Sequence, residues 1–130
     1  MSFLLDTDAV SYALRGEGRV AKQIQVHRPS ELAISAITLA ELRFGAERRK
    51  SRKLNRLIEA FVGDIDVVPF DENAAARFGK VAAALASKGT PIGTLDTMIA
   101  AHSLELGLTL VTHNTKHFQH VRGLKIVDWV

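Results

Sequence analysis

The chain has 130 residues, 47% of them hydrophobic and none of them cysteine, which suits one globular domain and excludes disulfides, thiolate catalysis and cysteine-ligated zinc. The formal net charge of +3 is a modest basic excess, and no apolar run approaches the roughly 18 residues that a membrane span needs. We therefore predict a single domain over residues 1–130, with no membrane segment and no signal peptide, acting in the cytoplasm.

In the first half of the chain, short apolar runs alternate with helical patterns. The stretch "FLLD" at residues 3–6 is a continuous apolar run, as expected of a strand buried on both faces, and "ELAIS" at 31–35 is a second strand. Between them, "DAVSYALRG" and "RVAKQIQVH" predict two short helices, the first of which ends at a glycine. Two further helices, "AITLAELRFGAERRK" and "KLNRLIEAFVG", follow on either side of a basic turn.

The second half of the chain repeats this alternation. Its strands are predicted at "IDVVPF" (65–70), "LTLVT" (108–112) and "LKIVDW" (124–129). Two helices separate the first two of these strands: "DENAAARFGKVAAALASKG", with Asp71 or Glu72 near its start, and "TLDTMIAAHSLELG" after the turn cluster "GTPIG". Strands separated by helices predict an α/β fold with a mostly parallel central sheet of about five strands and helices on both faces.

Asp6 stands at the end of the first predicted strand, and Asp8 follows two residues later. In an open α/β sheet the functional crevice lies beyond the carboxyl ends of the strands, which is where the Asp6 side chain would point. The competing interpretation is that either aspartate only caps the next helix. Because one cap is enough, we assign the cap to Asp8 and the crevice to Asp6.

Glu41 belongs to the third predicted helix, and its neighbours one helical turn away are apolar or small: Ile37, Phe44 and Gly45. This pattern predicts that the glutamate lies on or beside the buried face of its helix. An unpaired carboxylate in such a place is strongly destabilising. Glu41 therefore needs a partner, which would be either a cation or an arginine such as Arg43 or Arg48.

Asp96 shows the same pattern in the helix "TLDTMIAAHSLELG", where its neighbours at i+3 and i+4 are Ile99 and Ala100. It also falls in the first turn of that helix, where an aspartate can act as a cap or interact with the helix dipole. Thr94 can cap the same helix. Asp96 is thus available for a site at the start of the helix.

These three carboxylates, Asp6, Glu41 and Asp96, become explicable together if they converge on a cation. Two unit charges about 4 Å apart repel by about 4 kcal/mol at an effective dielectric of about 20, so without a cation we expect repulsion to raise at least one carboxyl pKa. Oxygen ligands without His or Cys suit Mg²⁺ or Mn²⁺. A divalent ion there would lower the pKa of a bound water and position a phosphodiester for hydrolysis.

A basic stretch lies in the middle of the chain. Seven of the 17 Lys and Arg residues fall between positions 43 and 56: Arg43, Arg48, Arg49, Lys50, Arg52, Lys53 and Arg56. One interpretation is a solvated helical surface with its turn. The other is an electrostatic surface for the phosphates of a nucleic acid. Charge alone leaves both open.

The chain resembles the PIN-domain ribonucleases of the VapC type, which are toxins of bacterial toxin–antitoxin pairs. The resemblance covers essentially the whole length and rests on four segments in the same order: "FLLDTD", "ISAITLAELRFGAE", "GTPIGTLDTMIAAHSLELGLTLVTHNTKHF" and "GLKIVDW". It implies a PIN-like fold, RNA cleavage, a homodimer, and neutralisation by a VapB-type antitoxin whose C-terminal part covers the groove of the toxin.

The resemblance also implies which residues form the site. Asp6, Glu41 and Asp96 would be the catalytic residues and the ligands of Mg²⁺ or Mn²⁺. Asp8 stands where these toxins commonly carry asparagine, and Asn114, in "THNTKHF", stands where many PIN domains have a fourth acidic residue. This departure weakens the case for a fully occupied second metal site. Asp8, Asn114 and Thr7 are candidate accessory residues, and the basic stretch from Arg43 to Lys53 is the candidate RNA-binding surface.

Two other assignments of function depend on different residues. "DTDAV" fits the first motif of haloacid-dehalogenase-like phosphatases, with Asp6 as nucleophile, but the later acidic group "GDID" (63–66) precedes a strand instead of following one. The other alternative is a non-catalytic basic module that binds RNA or protein, in which the carboxylates only cap helices and pair with arginines. This module predicts no dependence on a cation.

The histidines suggest a further chemistry. His113, His117 and His120 are spaced so that two of them could share one helical turn and form a histidine-based ribonuclease or metal site. No acidic or cysteine residue adjoins them in sequence. His102 lies on an apolar helical face, where we expect a partly buried histidine with a hydrogen-bond partner.

Overall fold

The architecture, in a computed structural model that describes residues 1–130, is a five-stranded sheet with helices on both faces. Every strand pair is parallel, and the strands run in the order β3-β2-β1-β4-β5. Their bounds are β1 Phe3–Leu5, β2 Leu32–Ser35, β3 Asp66–Val68, β4 Thr109–Val111 and β5 Ile126–Val127. The predicted fold class is confirmed, and the sheet is wholly parallel.

Seven helices connect and flank the strands. They are α1 Thr7–Arg15, α2 Val20–Val26, α3 Ala36–Arg48, α4 Arg52–Asp64, α5 Glu72–Ser87, α6 Thr94–Leu106 and α7 Thr115–Phe118. The sequence predicted the first six, but not α7 or the short 3-10 turn Pro29–Glu31, since neither is long enough to show a period. No helix is both long enough and apolar enough to cross a membrane.

The core is divided by the sheet into two layers. Successive residues of a strand point to opposite faces, so Leu4 packs with α5 and α6 through Ile99, while Leu5 packs with α1 to α4 through Val10 and Ile58. All five side chains are completely buried. Burying such side chains stabilises the fold by roughly 1.5–3 kcal/mol each. The strands therefore read as continuous apolar runs because both of their faces are covered.

The order in which strands are added to the sheet changes side at β1. From β1 the chain moves to β2 and β3 on one side, and it later returns to place β4 and β5 on the other side. The pairing of β1 with β4 is extended past the strand end, since the backbone N–H of Asp6 donates to the carbonyl of Val111 at 3.0 Å. A crevice forms at such a switch point, beyond the carboxyl ends of β1 and β4.

The cap of α1 corrects one prediction, because Asp6 and not Asp8 occupies the N-cap. The Asp6 backbone is extended, with φ −79° and ψ 174°, and its Oδ1 accepts a hydrogen bond from the Ala9 N–H at 2.8 Å. β1 ends at Leu5 and α1 begins at Thr7, so position 6 is the only one that fits the cap. Asp8 is exposed in the first helical turn.

The start of α6 corrects a second prediction. Thr94 is the first helical residue and Gly93 precedes it at the N-cap position, with a positive φ of 94° that favours glycine. No side chain caps this helix. In α5, by contrast, Asp71 is the N-cap and accepts from the Ala74 N–H at 2.9 Å, as predicted.

Candidate active site

The three predicted carboxylates face one small cavity at the carboxyl edge of the sheet. The cavity has a volume of about 220 Å³ and is lined by Asp6, Thr7, Asp8, Glu41, Asp96, Asn114 and Phe118. Asp6 reaches it from the end of β1, Glu41 from the middle of α3 and Asp96 from the first turn of α6. The structure thus brings together all six residues that the sequence proposed for the site and its accessories. We call this cavity the acidic pocket.

Asp6 is the most deeply buried of the acidic residues, with only 3% of its surface exposed. The pKa of Asp6 is raised to about 7, chiefly because burial disfavours the charged form; hydrogen bonds from Thr112 and Ala9 lower this pKa, and the charges of Asp8 and Asp96 raise it. Repulsion was expected to raise a carboxyl pKa in this cluster. The direction is confirmed, but desolvation and not repulsion is the larger cause.

Glu41 is held in place by a threonine of the neighbouring helix. The Thr7 hydroxyl donates to Glu41 Oε1 at 2.6 Å and lies 3.4 Å from the hydroxyl of Thr38. Partial burial raises the pKa of Glu41, the Thr7 hydrogen bond lowers it, and Asp96 and Asp8 raise it again. Thr7 was proposed as an accessory residue, and its role in the structure is to fix the orientation of this carboxylate.

The structure decides two points about the surroundings of Glu41, namely its position relative to the buried face and its alternative partner. Phe44 is 64% exposed, so Glu41 lies beside the buried face of α3, which is one of the two predicted positions. The alternative salt bridge to an arginine is absent: Arg43 instead contacts Asn55 Oδ1 at 3.3 Å and Glu59 at 4.0 Å, and Arg48 is exposed. Glu41 has no cationic side chain as a partner.

Asp96 has a histidine close to it that the sequence did not indicate. His117 Nδ1 lies 3.9 Å from Asp96 Oδ2 and 2.6 Å from Asn114 Nδ2. Burial raises the pKa of Asp96, His117 lowers it and Asp8 raises it. α7 places Asn114 and His117 together, since they are three residues apart. That spacing in the sequence could have indicated the contact between Asn114 and His117, but not the contact between His117 and Asp96.

The other histidines are spread over several environments. His113 Nδ1 lies 3.0 Å from Asp128 Oδ2, His120 is exposed, and His102 is 1% exposed with its Nδ1 at 2.9 Å from the Ser35 hydroxyl. His102 has the hydrogen-bond partner that we expected, but its side chain is almost completely buried and not partly buried. His113, His117 and His120 do not form a common centre, because His117 and His120 line one cavity while His113 lies against Asp128 in another.

The donor set of the acidic pocket fits a hard divalent cation. Four carboxylates, an amide and a hydroxyl supply only oxygen or amide ligands, and no Lys or Arg side chain lines the pocket to neutralise them. No group of three or more Asp, Glu or His side chains is close enough to coordinate one ion directly. The arrangement therefore suits an ion that keeps several of its waters, as Mg²⁺ prefers to do.

The basic stretch lies at the turn between α3 and α4, next to the acidic pocket. Arg49 and Lys53 line a groove of about 420 Å³ that also contains Thr7 and Glu41, so the two cavities adjoin. Arg48, Lys50 and Arg52 are exposed at the same turn: none of them makes an ion pair, unlike Arg43. The structure places two of the six proposed RNA-binding residues in the same groove as Glu41.

Comparison with known proteins finds one protein family and several relatives that are named VapC. The family model described as "PIN domain" matches residues 3–124. A "tRNA(fMet)-specific endonuclease VapC" of Shigella flexneri is 37% identical over 130 residues, covering 99% of this chain and 98% of the relative. A "Ribonuclease VapC2" of Haemophilus influenzae is 32% identical over 131 residues, covering 100% and 99%.

Two solved structures with a similar fold are of VapBC proteins bound to DNA. The structure of VapBC2 from Rickettsia felis bound to a DNA fragment from their promoter superposes with a TM-score of 0.92 at 27% identity, covering 100% of both chains. That of DNA-bound VapBC from Salmonella typhimurium gives a TM-score of 0.89 at 35% identity, covering 100% of this chain and 99% of the other.

Proposed function

The chain belongs to the PIN-domain family, in its VapC type, and from this premise we propose that it is a cation-dependent endoribonuclease acting as the toxin of a toxin–antitoxin pair. The observation that carries the proposal is the convergence of Asp6, Glu41 and Asp96 on one pocket at the switch point of the sheet. These residues come from three separate elements, and their pKa values are all raised. Such perturbed carboxylates in a cleft are typical of functional sites.

Asp6, Glu41 and Asp96 would hold Mg²⁺ or Mn²⁺, with Asn114 as a further oxygen ligand or as a group that orients water. When bound, the ion would supply the Lewis acidity that lowers the pKa of a water and neutralises charge on a phosphate. The chain itself fixes the ligands. Asp6 is anchored by the Ala9 N–H and Glu41 by the Thr7 hydroxyl, so both carboxylates are already oriented towards the pocket.

RNA would reach the pocket along the adjoining groove. Arg49 and Lys53 line that groove and would contact phosphates next to the cleaved bond, with Arg48, Lys50 and Arg52 adding long-range attraction. Arg43 is already paired with Glu59 and would contribute least. Because two relatives are named as tRNA(fMet)-specific endonucleases, a transfer RNA is the first substrate to test.

The proposal includes a partner and an assembly. The similar structures from Rickettsia felis and Salmonella typhimurium are of VapBC complexes, which supports a VapB-type antitoxin for this chain. A basic side chain of that antitoxin would occupy the acidic pocket through charge-assisted hydrogen bonds and compete with the cation. We also propose that the protein is a homodimer and acts in the cytosol. Analytical ultracentrifugation of the purified chain tests its oligomeric state.

Incubation with total RNA and purified transfer RNA tests the activity. The protein is supplied with Mg²⁺, Mn²⁺ or a chelator, and new RNA ends are mapped. We expect discrete cleavage that needs the cation and disappears in Asp96→Asn. A purely binding module would give retention of RNA without new ends, whatever the cation, and that result would refute the enzymatic proposal.

A further inference from the structure

A second cavity adjoins the acidic pocket and shares Arg15 with the groove of Arg49 and Lys53. Its volume is about 580 Å³, and it shares Asp8 and Asn114 with the acidic pocket. Its remaining walls are Tyr12, Arg15, His113, Thr115, Lys116 and Asp128. The proposed chemistry uses none of these six side chains. We call this cavity the His113 pocket.

An aromatic ring is held rigidly in the wall of the His113 pocket. His113 Nδ1 lies 3.0 Å from Asp128 Oδ2, and Asp128 Oδ1 in turn accepts from the Val130 N–H at 2.9 Å. Tyr12 packs against the imidazole edge to face, with ring centroids 5.5 Å apart and an interplanar angle of 71°. The His113 side chain nevertheless remains 49% exposed. The ring is therefore fixed in orientation and open to solvent, as a stacking platform must be.

Basic side chains surround this platform. Lys116 is exposed and makes no ion pair, and the Arg15 guanidinium lies 5.0 Å from the centroid of the Tyr12 ring. Arg15 contacts Glu17 at 3.2 Å, but both side chains are about half exposed, and a surface pair of this kind is weak. Both cations are thus available to a phosphate. A fixed aromatic ring with flanking cations is the combination that binds single-stranded nucleic acid.

We propose that the His113 pocket binds one nucleotide of the RNA strand next to the cleaved phosphate, with the base stacked on His113 and its phosphate contacted by Lys116 and Arg15. The inference rests on the proposed function, because it assumes that RNA crosses the acidic pocket. In this arrangement the strand runs from the groove of Arg49 and Lys53, over the carboxylates, into the His113 pocket. His113 acts in substrate binding and takes no part in bond cleavage.

Binding of a labelled single-stranded oligoribonucleotide of eight residues tests this subsite separately from cleavage. The full chain carries Asp96→Asn so that the probe is not consumed, and fluorescence anisotropy gives the affinity. Abasic versions of the probe remove one base at a time. Base–aromatic stacking is worth about 1–3 kcal/mol, so we expect one abasic position to weaken binding about 5- to 150-fold.

A second substitution identifies the ring that makes the contact. His113→Ala should weaken binding of the intact probe by a similar factor and remove its sensitivity to the abasic position. His113→Phe keeps an aromatic ring and should restore that sensitivity. Lys116→Gln should reduce the salt dependence of binding. Arg28→Gln is the control and should leave the salt dependence unchanged, because Arg28 lies shortly before the amino end of β2 and the pockets lie beyond the carboxyl ends of the strands. Thermal unfolding checks that each variant is folded.

The inference is overturned if folded His113→Ala binds the intact probe as tightly as its parent. It is also overturned if the variant keeps the full penalty for every abasic position. Failure of the proposed function gives a different result, which is wild-type protein that binds the probe but produces no cation-dependent cleavage. The two ideas therefore fail separately.

Discussion

Replacing Asp6 by asparagine should stabilise the fold at neutral and alkaline pH in the absence of divalent ions. Asparagine is as good an N-cap as aspartate, and its amide oxygen can still accept from the Ala9 N–H that lies 2.8 Å from Asp6 Oδ1. The substitution keeps the volume of the side chain and removes a charge that is 3% exposed. It therefore relieves desolvation and repulsion without opening a cavity.

The magnitude follows from the raised pKa of Asp6. Burial and neighbouring charges raise that pKa from 3.8 to about 7. Because one pKa unit corresponds to about 1.4 kcal/mol, the upper limit of the destabilisation is about 4 kcal/mol. Between these two pH values the folded state binds more protons than the unfolded state, so the free energy of unfolding falls as pH rises. The loss is complete above about pH 7 and absent below about pH 4.

Urea unfolding at several pH values, with chelator present, measures this effect. We expect wild type and Asp6→Asn to have similar free energies of unfolding near pH 4. As the pH rises the two values should diverge, until that of the variant is about 2–4 kcal/mol higher at pH 8. Asp71→Asn is the matched control, since Asp71 caps α5 with the same hydrogen bond but is exposed. If the difference in free energy of unfolding between wild type and Asp6→Asn does not change with pH, the argument that burial of a charge destabilises the pocket is refuted.

Three further predictions concern activity and binding. Asp96→Asn should abolish RNA cleavage while the protein keeps its thermal unfolding midpoint or gains in it, and residual cleavage at the wild-type rate would contradict the cation site. Asp8→Asn should reduce cleavage only mildly, because Asp8 is exposed and contributes charge without a fixed contact. Neutralising Arg49 and Lys53 together should reduce the magnitude of the slope of log affinity against log salt concentration by about 1.4. An unchanged slope would mean that these two side chains form only a solvated surface, and Arg28→Gln is the control.

Much of this fold could be predicted from local patterns. β1, β2 and β4 read as continuous apolar runs because the sheet is covered on both faces, and the helices between them imply parallel strands. The position of Asp6 at the end of β1 was enough to place it in the crevice. Glu41 and Asp96 were found because a carboxylate among apolar neighbours is costly unless something binds it.

The remaining features depend on distances between elements, which local patterns do not contain. The choice between Asp6 and Asp8 as the cap was decided by where β1 ends, and the end of an element is uncertain by one or two residues, which is as many as separate these two aspartates. The contact of His117 with Asp96 joins α7 to α6, and the pairing of His113 with Asp128 joins the ends of β4 and β5. Such pairs become visible only once the sheet order is known.

Mn²⁺ binding, followed by the electron paramagnetic resonance signal of the free ion, tests the central claim most directly. The wild-type chain should bind Mn²⁺ saturably, and Asp6→Asn, Glu41→Gln and Asp96→Asn should each weaken that binding at least about tenfold, which corresponds to about 1.4 kcal/mol. Asp66→Asn, an exposed aspartate at the start of β3, should leave it unchanged. Equal affinity in the wild type and in all three pocket variants would contradict the assignment of these carboxylates to a divalent cation.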